Sequence, residues 1–288
     1  MISSPIFVIT RLTLREASRR RLLLAVVVLT VILVALSAWG FGKLTSLSCG
    51  RGVPCSPTET KMLAAMLVIL ITFMYSFVFT VGAVFVAAPA VANEIESGIA
   101  LAMLPRPVRR SDIIFGKWLG WAIIVCGYAI VTTGLEFIAV KAVVGYIPPH
   151  PIAAIIFLLG ECLVMLTLGL LFSTRLAPMT GGIVALVLFG LAWMGGIAHG
   201  VGTILESDVV RNIGLVSSLI LPTDGLWRGA LFNIEPSVLT EVAGTSRVMA
   251  ANPFLTLTPP SPGYVAWAIA WIIVMLGLSI LSFERREL

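Results

Sequence analysis

Six stretches of this chain are long and apolar enough to cross a hydrocarbon layer of about 30 Å as helices rising about 1.5 Å per residue. They fall at about 22–42, 62–92, 113–146, 152–173, 179–203 and 264–282, each bounded by charges, proline or glycine. Soluble domains carry roughly a quarter charged residues. A chain with 59% hydrophobic and only 11% charged residues cannot keep such surface out of water by itself. A lipid bilayer is therefore the expected solvent for most of it. Within lipid every backbone N–H and C=O must be bonded inside the protein, and long runs without period-2 alternation choose helices over a closed β-barrel. The expected class is an all-α polytopic membrane protein with six transmembrane helices, organised as a single transmembrane domain over residues 1–288.

The remaining segments fit around those spans. Residues 4–20 set Arg11, Arg15 and Arg19 at i, i+4 and i+8, with Ile6, Phe7, Leu14 and Ala17 largely opposite, the pattern of an interfacial amphipathic helix. Arg20 and Arg21 follow, with no small-residue cleavage site beyond them, so the first span is expected to be retained. Ile147-Pro148-Pro149-His150-Pro151 cannot continue a helix and predicts a tight outer turn. The segment 204–263 is too long for a plain connector. Its apolar stretch from Ile213 to Leu221 is too short to span, which predicts a short re-entrant or surface helix before the last span. Lys and Arg sit at the ends of the apolar runs, so the net charge of +5 has a topological reading and no nucleic-acid partner is expected. The denser cluster of positive charge lies with the N-terminus, around Arg106 to Lys117, at Arg175 and at Arg285 and Arg286. This predicts both termini in the cytoplasm.

The inner loop after the second span is the most informative segment. It runs Asn93-Glu94-Ile95-Glu96-Ser97-Gly98, continues through Leu104-Pro105-Arg106-Pro107-Val108-Arg109-Arg110, and ends at Ser111-Asp112-Ile113-Ile114-Phe115-Gly116-Lys117. Acidic residues, a glycine break, a Pro-Val-x-Arg corner and a Gly-Lys pair at the next helix entrance form a compact charged element suited to contact with another cytoplasmic protein. This order resembles the membrane subunits of the ABC-2 family of ATP-driven exporters, also called type V. Glu96, Gly98, Pro107, Val108, Arg110, Gly116 and Lys117 match the family's loop, and Ile99 stands where the family carries threonine. The amphipathic N-terminus, six spans and the ending at Phe283, Arg285 and Arg286 agree with it. Pro222 to Arg228 looks like the family's Asn-Pro-x-Asp-x-Tyr/Phe-Arg element, with Leu221 in place of asparagine.

The resemblance implies a permease subunit in the cell membrane that works with a separate cytoplasmic ABC ATPase in two copies. ATP and Mg would be bound by that ATPase, with no cofactor on this chain, and a second permease would complete the assembly, a second copy as a homodimer being favoured over a heterodimer. No Gly-x4-Gly-Lys-Ser/Thr phosphate loop occurs in the sequence, in agreement with a borrowed ATPase and a chain that is not itself an enzyme. Residues 93–112 are then the coupling loop, with Glu94, Glu96, Gly98, Pro107, Arg109, Arg110 and Lys117 as its candidate residues. The alternative for these charges is a solvated loop that follows the positive-inside rule.

Polar groups inside the spans are further candidates. An acidic side chain at mid-membrane costs about 2.5–3.5 kcal/mol on insertion scales, so Glu161 in the fourth span is expected to face a cavity or a partner. Glu136 lies in the outer half of the third span, five residues before Lys141. For both glutamates a pathway role and a structural role stand level. Phe73, Met74, Tyr75, Phe77, Phe79, Trp193 and Met194 are candidates for an apolar path, against the commoner role of helix packing. Cys49 and Cys55 flank Gly50, Gly52 and Pro54 in an outer loop and form a candidate disulfide; metal binding is the weaker alternative. Cys126 and Cys162 read as packing residues, and His150 and His199 have no ligand spacing, so no metal is expected. Gly116-x3-Gly120 and Gly196-x3-Gly200 permit close helix contact, although such pairs also arise by chance in Gly-rich spans. The expected function is export of an amphipathic or hydrophobic compound. The alternative is a mechanotransmitting or scaffold subunit that acts on an extracytoplasmic partner through 204–263, of the kind serving cofactor or metal-centre maturation.

Overall fold

The computed structural model of the chain describes residues 5–18, 21–44, 56–96, 109–236, 252, 254–256 and 258–286. Among the described residues the chain is all-α. Its helices are α1 (Pro5–Ser18), α2 (Arg21–Leu44), α3 (Pro57–Ala87), α4 (Pro89–Glu96) and α5 (Arg110–Val144), followed by α6 (Pro151–Ser173), α7 (Pro178–Ile204), α8 (Asp208–Ile220), α9 (Thr223–Ile234) and α10 (Pro262–Glu284). Six segments are long and apolar enough to cross a membrane: Val27–Leu44, Pro57–Ile95, Arg110–Val144, Pro151–Ser173, Pro178–Ile204 and Pro262–Glu284. The chain is a multi-pass membrane protein.

Local chemistry sets the ends of these helices. Proline opens α3, α6, α7 and α10, where its missing N–H is one that a helix start leaves unbonded anyway. At α3 the Ser56 hydroxyl accepts from the Glu59 N–H at 3.3 Å and the Glu59 carboxylate accepts from the Ser56 N–H at 2.8 Å. This reciprocal cap starts the second span at 57, ahead of the apolar run expected from 62. Pro89 cannot donate back into the ladder, so the same span divides into α3 and α4 near Ala88. Gly145 ends α5 in the left-handed conformation, φ 74°, and donates to the Lys141 carbonyl at 3.0 Å. The proline-rich turn follows, and its His150 N–H donates to the Asn233 carbonyl at 3.1 Å.

α6 is the central post of the bundle. It touches α3, α4, α5, α7, α9 and α10, and Val164, Met165 and Leu166 are buried in succession. Of the described spans it is the most buried, with Ile152 and Ile156 near its start left exposed. One apolar cluster gathers Tyr75, Phe79, Trp121, Met165 and Trp271; a second gathers Phe41, Val68, Leu158, Trp227 and Leu231. α1 packs along the start of α5 with Thr10, Thr13 and Ala17 inward. Arg11 and Arg15 are exposed, as are Phe7 and Leu12, so the helix buries small and polar residues and leaves large apolar ones outward. The glycines of α5 allow that approach. A Cβ on Gly116 would stand 2.8 Å from Ile9 Cβ, and one on Gly120 2.7 Å from Thr13 Cβ.

The stretch between α7 and α10 differs from expectation. Its described residues hold two helices where one was expected, because α8 begins at Asp208 and the polar, glycine-bearing segment from Thr223 forms α9. α8 lies back on α7, with Gly214 against His199 and Gly202 against the Arg211 backbone. α9 is buried against α6, its Gly229 seated on the Phe157 ring and its Gly225 on Tyr264. Tertiary enclosure, rather than an amphipathic stripe, holds this helix in place.

Candidate functional site

Two sites emerge from this packing. The first is a polar clamp at the end of the bundle where α4, α6 and α10 finish and α5 begins. Glu94 leaves α4 toward Lys117 of α5, with Oε1 2.5 Å from Nζ, and Lys117 also donates to the Ala90 carbonyl. The Ser173 hydroxyl at the end of α6 accepts from the N–H groups of Val91 at 2.9 Å and Ala92 at 3.0 Å, satisfying donors at the start of α4. Arg110 donates to the carbonyls of Phe283, Glu284 and Arg286 at 3.3, 3.0 and 2.9 Å, so its guanidinium caps the end of α10. Arg175 donates to Ser282 Oγ at 2.9 Å, and Arg286 donates to the Thr174 carbonyl.

The structure thus pairs Glu94 with Lys117 and turns Arg110 inward onto α10, while Arg109 is exposed. Glu96 ends α4, and its side chain lies outside the described residues. Gly98, Pro107 and the centre of the loop 93–112 also lie outside the described residues, as do Cys49 and Cys55.

The second site is a cavity of about 480 Å³ framed by α3, α6, α7 and α9. Its wall is aromatic and aliphatic: Phe73, Met74, Phe77, Phe189, Trp193 and Trp227 provide most of it. Four of the seven residues expected on an apolar path are there. Tyr75 and Phe79 instead turn into the bundle core, and Met194 is exposed on the outside of α7. A helix has several faces, and spacing alone does not say which one a cavity will take.

The two intramembrane glutamates part company. Glu161, 2% exposed, lines the cavity and accepts from the Ser76 hydroxyl at 2.7 Å. Glu136, 0% exposed, lies between α2, α3 and α5 and accepts at Oε2 from Ser37 at 2.9 Å and Tyr75 at 3.0 Å. It does not line the cavity.

Beside the cavity sits a feature that sequence reading named only as part of a motif. Asp224 of α9 accepts from Arg228 Nε at 2.8 Å, and Arg228 Nη2 donates to the Gly196 carbonyl of α7 at 2.9 Å. Gly196 is required there, since a Cβ would overlap the Asp224 carboxylate. Asp224 borders the apolar cavity on one side. On the other it borders a more polar hollow of about 520 Å³, lined by His199, Ser218, Arg228 and Tyr264 among others. The i, i+4 spacing of Asp224 and Arg228 was the available signal. At the far end of α9, Glu235 accepts from the Thr256 N–H at 2.9 and 3.2 Å, and burial pushes its carboxyl up to about 8 against the opposing pull of that hydrogen bond.

Comparison with known proteins agrees with this architecture. Residues 7–288 match the family described as ABC-2 family transporter protein. Over 140 residues the chain is 30% identical to the probable ABC transporter permease protein NosY of Pseudomonas aeruginosa, a match that takes in 48% of this chain and 46% of that protein. It thus spans about half the length of this relative. The extent of the family match and the six apolar helices lead to one conclusion: the chain belongs to the ABC-2 family of transporter proteins, as a membrane-spanning permease.

Proposed function

We propose that this chain is the membrane subunit of an ATP-driven exporter, in which a separate cytoplasmic ATPase drives movement of an amphipathic or hydrophobic compound across the cell membrane. Two copies of the ATPase, carrying ATP and Mg, act on two copies of this chain, and both termini face the cytoplasm. The segment 93–112 receives the force. One observation carries this reading. The helix ends beside that segment are tied together by the Glu94–Lys117 pair, the Ser173 cap on α4 and the Arg110 cap on α10. A push on α4 or on the start of α5 therefore moves α3, α5, α6 and α10 as one body past α7 and α9, which frame the other side of the cavity, a rigid-body mode suited to alternating access. Mechanical work on an outer-side partner was the competing expectation; the apolar cavity supports transport over it.

The decisive experiment is reconstitution with the co-purifying ATPase in vesicles. Accumulation of a hydrophobic compound that depends on ATP, and that is lost with its ATPase partner when Glu94 and Arg109 are reversed in charge, is the expected result. ATPase partnership undiminished by those reversals removes the coupling role of 93–112. ATP hydrolysis by the isolated chain removes the whole reading.

A further inference from the structure

Of the two carboxyl groups that border the cavity framed by α3, α6, α7 and α9, one has a basic partner among the described residues. The two are Glu161 and Asp224. Asp224 is matched by Arg228 at 2.8 Å, and that guanidinium is held in turn by the Gly196 carbonyl at 2.9 Å. Glu161 has a hydroxyl donor, Ser76 at 2.7 Å, and no ion pair among the described residues. With the acids ionised, one negative charge is left over in a site otherwise built from hydrocarbon. An intramembrane carboxylate of this kind is a ligand-site hypothesis in its own right.

Two more observations specify the ligand. Phe73, Phe77, Phe189, Trp193 and Trp227 supply the wall, and the faces of such rings attract cations most strongly where water is excluded. The volume of about 480 Å³ is that of a small organic molecule's site. Met74 and Phe77, each 51% exposed, leave it open at the bundle surface.

We propose that this cavity binds hydrophobic organic cations. The charged centre lies by Glu161 among the aromatic side chains of the wall. The inference rests on the exporter reading above and narrows its substrate class to cations.

The test uses the full-length protein in lipid nanodiscs, with binding measured by equilibrium dialysis against empty nanodiscs. The probes are tetraphenylphosphonium and tetraphenylborate, ions of the same shape and opposite charge. Saturable binding of the cation alone is expected, weakened about tenfold or more by E161Q, which removes the charge and keeps the size. F77L, at a half-exposed wall position, is expected to weaken cation binding about threefold through loss of one aromatic face. It decides the matter alongside the ion pair of probes should E161Q not fold. Saturable binding of both ions alike, or an E161Q variant that weakens both equally, overturns the cation assignment and leaves export of neutral hydrophobic compounds standing. Absence of saturable binding by either ion overturns the cavity as a ligand site, and the exporter reading then stands or falls on the vesicle assay alone.

Discussion

Lys117 and Glu94, both read from the sequence as residues of the coupling segment, have charged atoms 2.5 Å apart at the edge of the bundle. Removing one partner leaves the other charge partly desolvated, and hydrogen bonds to charged groups contribute about 1.5–3 kcal/mol. K117M is expected to lower stability by about that much, read as a fall in the thermal midpoint of the purified protein, with partial recovery in the reversed pair E94K/K117E. No recovery in the reversed pair means that the two do not act on each other. Glu235 offers a pH test. Its carboxyl is raised from 4.5 to about 8 by burial, so the folded chain holds this proton where the unfolded chain has released it. The stabilising contribution is complete below about pH 4.5 and is lost as pH rises toward about 8. Thermal midpoints of E235Q are expected to fall less between pH 5 and pH 8 than those of the parent chain. Equal slopes would set Glu235 aside as their cause. Neither pairing was legible in the sequence, since Glu94 and Lys117 belong to different helices and Glu235 finds its donor 21 residues on.

Individual helices were legible to different degrees. The six spans needed only length and hydropathy, because no other structure satisfies a backbone in lipid. Their ends needed capping chemistry, and the Ser56–Glu59 box extends α3 beyond its apolar run. α9 was not expected, because its burial comes from Phe157 and Tyr264 seated on its glycines, contacts made by other helices. α1 shows a third case: the basic stripe marked a helix, and the faces it turns inward were set by α5. Gly120 is the test of that contact, since a Cβ there would stand 2.7 Å from Thr13 Cβ. G120V is expected to cost about 1–3 kcal/mol through overpacking and to separate α1 from α5. A Thr13→Cys label should gain accessibility in that variant; unchanged labelling contradicts the contact.

At the scale of the molecule, the clamp joins the first and last parts of the described chain. Thr10 donates to the Gly116 carbonyl at 3.1 Å, and Arg110 donates to carbonyls at the end of α10. Both contacts are made by the start of α5. The proposed coupling requires this end of the bundle to move as a unit, so R110A, which frees α10 from α5, is expected to preserve association with the ATPase and to reduce transport per ATP hydrolysed by roughly three- to thirtyfold. Transport and hydrolysis measured together in vesicles check it, and an unchanged ratio shows that α10 moves independently of the clamp.

Composition and the order of apolar runs determined by themselves that this chain is helical and has six helices able to cross a membrane, because lipid admits so few alternatives for a chain this apolar. Tertiary structure alone decided which polar groups within that framework meet. Of two glutamates alike in sequence setting, one lines a cavity and the other is enclosed by Ser37 and Tyr75. That division follows from how the helices rotate against one another, and rotation is fixed by side chains distant along the chain.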